Sequence, residues 1–140
     1  MNLNFRWLIM QMRPRVVHRI PGRLRLHIPA LKKVESDFQE VSDTLISDFH
    51  LPAGIKLARI NYISGNIVIN YNPDITNERH VLVWILDVKK IFETTFLQFE
   101  KMDEERIQNS VFKLKEFLKS VSNNGTIIDQ TFKIPDEIWN

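Results

Sequence analysis

Arg23, Arg25 and His27 alternate with Leu24, Leu26 and Ile28, the period of a strand with one face buried and the other in water. Guanidinium and imidazole groups repeated on one face are donors suited to an anion, and guanidinium forks match carboxylate or phosphate geometry. The segment lies in a block of eight Lys/Arg residues, from Arg6 to Lys33, that contains no acid. Residues 34–140 hold the other eleven cations and all 17 acids, so a net charge of +2 conceals a basic front and an acidic remainder. This asymmetry implies an anionic partner at the basic end, with a merely solvated basic face as the plain alternative.

Other chemistries find less support. The chain has no cysteine, which removes disulfides, thiolate nucleophiles and Cys-based metal sites and fits a reducing, cytoplasmic compartment. Of the four histidines, His18 and His27 lie on the basic strand region, His50 near a helix end and His80 early in a later helix. No pair has the spacing of a zinc or nickel site, so they read as lone surface or cap residues. No glycine-rich phosphate loop, nucleophile elbow or paired-carboxylate motif is present, and no enzymatic activity or cofactor is expected. Nucleic acid is disfavoured too: the outward positions of the first and third strands are Arg23, Arg25, His27, Val68 and Asn70, with no ring on which a base could stack.

The elements that must position these residues follow from periodicity. Pro14 to Pro29 is extended, divided by Pro21-Gly22 into an approach segment and the main strand. Ser36 with Gln39 forms a capping-box pattern before Phe38, Val41, Leu45 and Phe49, a helix ended by Pro52-Ala53-Gly54. Ile55 to Ile63 is a strand whose apolar phase shifts, as at a bulge. Ser64-Gly65-Asn66 turns it into a third strand, Ile67 to Tyr71. A second helix starts near Thr76 or Asn77 and carries Val81, Trp84, Ile85, Val88, Ile91 and Phe92 inward. Ile107, Val111, Leu114, Leu118 and Val121 form a heptad-like stripe on a further helix, packed on its own core or, alternatively, free for self-assembly. Thr126 to Ile134 is a candidate late strand, and Pro135 to Asn140 reads as a loose tail. At the other end, Phe5, Trp7, Leu8, Ile9, Met10 and Met12 beside Arg6, Arg13 and Arg15 suggest either an interfacial membrane anchor or an element packed on the domain. Its uncharged run of six residues is too short for a secretory core or a membrane span.

Strand, helix, strand, strand, helix is most of a ferredoxin-like βαββαβ unit, with helices on one face of an antiparallel sheet and the other face open. The runs His18-Arg-Ile-Pro-Gly-Arg-Leu-Arg-Leu26, Pro52-Ala-Gly-Ile55 and Arg59-Ile-Asn-Tyr-Ile-Ser-Gly-Asn-Ile-Val-Ile-Asn-Tyr-Asn-Pro73 resemble a cysteine-less branch of heavy-metal-associated domains. Members of that branch are stand-alone small bacterial proteins or N-terminal regions of metal-transporting P-type ATPases, and the resemblance implies a ferredoxin-like fold. The better-known branch binds a soft metal ion through Cys-x-x-Cys after the first strand, because thiolates suit such ions. Here that loop is about Pro29-Ala30-Leu31-Lys32-Lys33; no ligand carries over, and two ammonium groups would repel a cation. Acylphosphatases share the topology, but Pro21-Gly22-Arg23 precedes the main strand instead of following it.

The expectation is therefore an α+β, ferredoxin-like sandwich with a C-terminal helical extension, divided into an N-terminal segment 1–13, a domain 14–97, and a helix and tail 98–140. Its function is read as a non-enzymatic binding or adaptor module. Arg19, Arg23, Arg25, Lys32 and Lys33 form the surface for an anionic partner, and Trp7, Ile9 and Arg13 the membrane or partner contact. That partner is an anionic membrane surface or a protein of a membrane or metal-transport system, at the cytoplasmic side. Metal handling through histidines or carboxylates, and self-assembly into a homo-oligomer through the open face or the 107–121 stripe, are the alternatives.

Overall fold

In the computed structural model, which describes residues 5–48, 51–126, 129 and 131–140, Leu24, Leu26 and Ile28 all enter the core. Burying each side chain contributes about 2 kcal/mol, and this fixes which face of strand β2 (Arg23–His27) packs inward. Strand β2 lies in a four-stranded antiparallel sheet with β1 (Arg15–Ile20), β3 (Ile55–Asn61) and β4 (Asn66–Tyr71), in the order β1-β2-β4-β3. Helices α1 (Phe5–Met10), α2 (Ser36–Asp43), α3 (Glu78–Glu100) and α4 (Glu104–Asn123) share a single core with the inner side of the sheet. The result is an α+β fold with a C-terminal helical part.

The fourth strand does not come from residues 126–134: none of the described residues there is in a strand. It is β1, the approach segment, folded onto β2 through the Pro21-Gly22 turn, where Gly22 takes φ +86°. Both edge strands are bulged, β1 between Val16 and His18 and β3 between Ile55 and Leu57, a step before the Leu57–Ala58 phase shift read in the sequence, so Leu57 faces outward.

Helix α2 starts one residue earlier in its logic than the capping-box pattern suggests. Glu35 is the cap residue, and Gln39 Nε2 reaches back to the Val34 carbonyl at 3.1 Å. Beyond Asp43 the helix widens into a π turn, Thr44–Asp48; Phe49 and His50 lie outside the described residues. Helix α3 starts where expected, with the Asn77 side chain accepting from the His80 N–H, and buries all six residues assigned inward. It continues through Phe96 and Phe99 to Glu100, so position 97 falls within a helix. After the Asp103 cap, α4 buries Ile107, Val111, Leu114 and Leu118, which leaves that stripe committed to the core.

The C-terminal segment is docked, not loose. Asp136–Trp139 forms a 3-10 turn whose buried Trp139 ring meets Phe99 edge-on at 5.9 Å, extending a Phe38–Phe96–Phe99 cluster. Arg106 Nη2 donates to the Trp139 carbonyl at 2.7 Å.

Candidate functional site

Residues directly opposite one another in an antiparallel pair project to the same face. The register therefore assembles the outer side of the sheet in three rows: Ile20–Arg23–Asn70–Leu57, His18–Arg25–Val68–Arg59, and Arg15–His27–Asn66–Asn61. None of these twelve residues is buried. The grid carries four arginines, two histidines, three asparagines and no acid. Among the described residues none of the four guanidiniums is held in an ion pair. Arg23 and Arg25 stand two residues apart on one strand, about 7 Å, and neighbouring strands are about 4.8 Å apart. At one end His27 Nδ1 and Asn66 Oδ1 lie 2.8 Å apart, a cross-strand hydrogen bond in which the carboxamide oxygen accepts.

Arg23 and Arg25 stand where the alternation places them. Arg19 does not join them. It pairs with Leu24, an inward residue, and its Nε contacts Glu78 Oε1 at 3.0 Å beside the start of α3. The bulge at Val17 is the reason: one extra residue puts Arg15 and Arg19, four apart, on opposite sides of the strand. Lys32 and Lys33 are exposed in a 3-10 turn, Pro29–Lys33, at the end of the sheet. A methyl group on Gly65 would lie 3.4 Å from Lys32 Cγ, which puts that lysine beside the β3–β4 turn.

The N-terminal residues lie elsewhere. Helix α1 packs on α3, with Leu8 and Met12 buried and Arg6 Nε 3.3 Å from Glu100 Oε1. Trp7 is exposed and Ile9 half-buried on this helix, on the helical side of the sheet, and Arg13 is exposed in the segment between α1 and β1. Trp7 and Arg25 thus belong to opposite layers. Sequence reasoning placed Val68 and Asn70 outward, as observed, but missed Arg15, His18, Arg59, Asn61 and Asn66. Arg59 was legible from the phase of Ala58 and Ile60, but Arg15 and His18 required knowing that β1 pairs with β2.

On the helical side, the Tyr62 hydroxyl meets Asp43 Oδ1 at 2.8 Å and the Gln39 carbonyl at 3.0 Å. Burial pushes this phenol well above its ordinary value, and the hydrogen bond and charge of Asp43 push it the same way. Lys115 holds the exposed Glu40 carboxyl below its usual range through a 2.9 Å hydrogen bond. A cleft of about 320 Å³ between α3 and the C-terminal segment is lined by Lys90 and Lys133 together with Asp87, Asp129 and Asp136, charges that offset one another. Among the described residues no three His, Asp or Glu side chains cluster closely enough to hold a metal ion, and no helix is long and apolar enough to cross a membrane.

A sheet with one side packed under helices and the other carrying four arginines and no acid in its three outward rows defines a small α+β domain. The chain belongs to the heavy metal associated domain 2 family, whose model matches residues 11–134. Comparison with curated proteins and with solved structures gave no match. The metal that the family name implies does not fit the turn after β2. Ala30 and Leu31 of that turn are buried in the core, Lys32 and Lys33 point out as cations, and Pro29 adds no donor. Apolar packing occupies the place of the ligands.

Proposed function

We propose that this chain is a non-enzymatic binding or adaptor module of a membrane or metal-transport system, acting at the cytoplasmic side through its open sheet face. In this reading the topology is a ferredoxin-like sandwich in which β1 takes the edge position beside β2, and β2, α2, β3, β4 and α3 supply the rest. One observation carries it: twelve outward residues with four arginines and no acid. Guanidiniums left without carboxylate partners are available for charge-assisted, bidentate contacts to an anion, and their summed field steers encounter. Self-association face to face is opposed by the same charge, and four of the five residues of the 107–121 stripe are already buried.

Fluorescence anisotropy with labelled polyglutamate tests this. Binding that weakens steeply with salt is expected, lost in an Arg23→Gln/Arg25→Gln/Arg59→Gln variant and retained in Arg19→Gln, whose side chain lies off the face. Equal binding by the triple variant and the parent would refute the reading.

A further inference from the structure

The open face differs from an ordinary basic patch in how completely charge is segregated. None of the chain's 17 acids lies in any of the four strands, whose sequences are RVVHRI, RLRLH, IKLARIN and NIVINY. The acids sit in the helices, the loops and the C-terminal segment. A local acidic patch on a partner protein needs only a few cations opposite it. A charged plane is more demanding, because it repels every acid within a Debye length, about 8 Å at physiological salt. Freedom from acid across the whole width of a sheet answers the second requirement.

Two features remove competing occupants. Both free edges carry bulges, at Val17 and at Lys56, and a bulged edge is a poor template for adding an extended peptide strand. No Phe, Tyr or Trp stands among the twelve outward residues, so the face has no platform for stacked bases and no aromatic anchor for a protein partner. Charge spread over a broad face is what remains.

We infer that the open sheet face lies flat on an anionic phospholipid bilayer, with Arg15, Arg23, Arg25 and Arg59 toward the headgroups and the acidic helical layer turned to solvent. This inference rests on the proposed role of that face and names its occupant. It also assigns the orientation: α1, with Trp7 and Met10, is on the side away from the lipid. Attachment is electrostatic, without insertion, since only Ile20, Val68 and Leu57 are apolar in the grid. Basic residues near a charged leaflet each raise the partition coefficient by about fivefold, so neutralising three arginines should reduce it roughly 100-fold.

The test is sedimentation of the intact chain with phosphatidylcholine vesicles, with and without about 30 % phosphatidylserine, at low salt and at about 0.5 M salt. Retention is expected only with phosphatidylserine and only at low salt. It should be lost in Arg23→Gln/Arg25→Gln/Arg59→Gln and kept in Lys90→Gln/Lys101→Gln/Lys133→Gln, which removes as much charge from the helical side; matching thermal melts establish that both fold. Tryptophan emission gives the orientation. Trp84 and Trp139 are buried and Trp7 is exposed, so an emission maximum unchanged on binding is expected, whereas a blue shift would put α1 in the lipid and overturn the orientation. Failure to sediment while polyglutamate still binds would overturn the membrane assignment and leave the binding-module reading standing. Failure to bind either would remove both. Tighter binding to a single-stranded oligonucleotide than to the vesicles would assign the face to nucleic acid and overturn this inference.

Discussion

Gly65 and Gly125 allow the steric part of one turn to be separated from its backbone part. Their φ angles are nearly equal, +75° and +72°. Gly125 closes α4 with its N–H donating to the Ser122 carbonyl and the Thr126 N–H to the Val121 carbonyl, the paired bonds of a Schellman cap. A Cβ there would meet nothing within 4 Å. At Gly65, in the β3–β4 turn, a Cβ would fall 2.9 Å from the Ile28 carbonyl oxygen. The left-handed conformation costs an L-residue about 1–2 kcal/mol, and restricting the unfolded chain returns about 0.4–1 kcal/mol. Gly125→Ala should therefore cost about 0.5–1 kcal/mol. Gly65→Ala adds an overpacking term of about 1–3 kcal/mol. The Ile28 backbone cannot retreat cheaply, because its N–H donates to the Gly65 carbonyl at 2.7 Å and its carbonyl accepts from Leu31 at 3.0 Å. The expected loss at Gly65 is about 2–4 kcal/mol. Urea unfolding followed by circular dichroism measures both, read as a change in midpoint at constant slope. Equal losses for the two alanines would refute the claim that the turn is locked against the end of β2.

Two further predictions concern the helical side. Trp139→Ala should lower stability by about 3–5 kcal/mol in urea unfolding, the usual cost of emptying a buried aromatic site; a loss under about 1 kcal/mol would restore the picture of a loose tail. Tyr62→Phe should cost about 1–2 kcal/mol at pH 8 by leaving Asp43 and the Gln39 carbonyl short of a donor. Because the folded phenol is raised above the ordinary tyrosine value of about 10, its contribution is complete below that pH and fades as pH climbs toward the folded value. The gap between the parent and Tyr62→Phe should accordingly narrow above about pH 10; a constant gap would show that the hydroxyl is not held neutral by burial and Asp43.

The sequence disclosed elements whose two faces differ in environment. Leu24, Leu26 and Ile28 alternate with polar residues because β2 is central and covered on one side only, and α3 and α4 carry stripes because each has one buried face. β1 escaped because an edge strand buries little: of its six residues only Val16 is even half-buried, so no alternation is imposed on the rest. The same bulge that hides the pattern moves Arg19 across the strand. The 3-10 turn of Trp139 is fixed by partners far away in sequence, Phe99 and Arg106, and nothing local marks it. Leu8 and Met12 are four apart, a spacing equally suited to a bilayer or a core; only the proximity of α3 decides between them.

The source of the edge strand also determines the charge of the face. Had residues 126–134, TIIDQTFKI, paired beside β2, the strand would have brought one aspartate and one lysine and contributed no net charge. Drawing the strand from the basic front instead sets Arg15 and His18 in rows with His27 and Arg25. It also brings α1 back over α3 and the turn after β2, where Leu8, Met12, Ala30 and Leu31 join one core. A soft-metal site in that turn would require an accessible loop with thiolate or imidazole donors; the packing that closes the loop is continuous with the strand that charges the open face. Reopening the turn for a metal would therefore disturb the packing of α1. In this chain one N-terminal stretch both adds Arg15 and His18 to the outer sheet surface and packs Leu8 and Met12 into the core that buries Ala30 and Leu31.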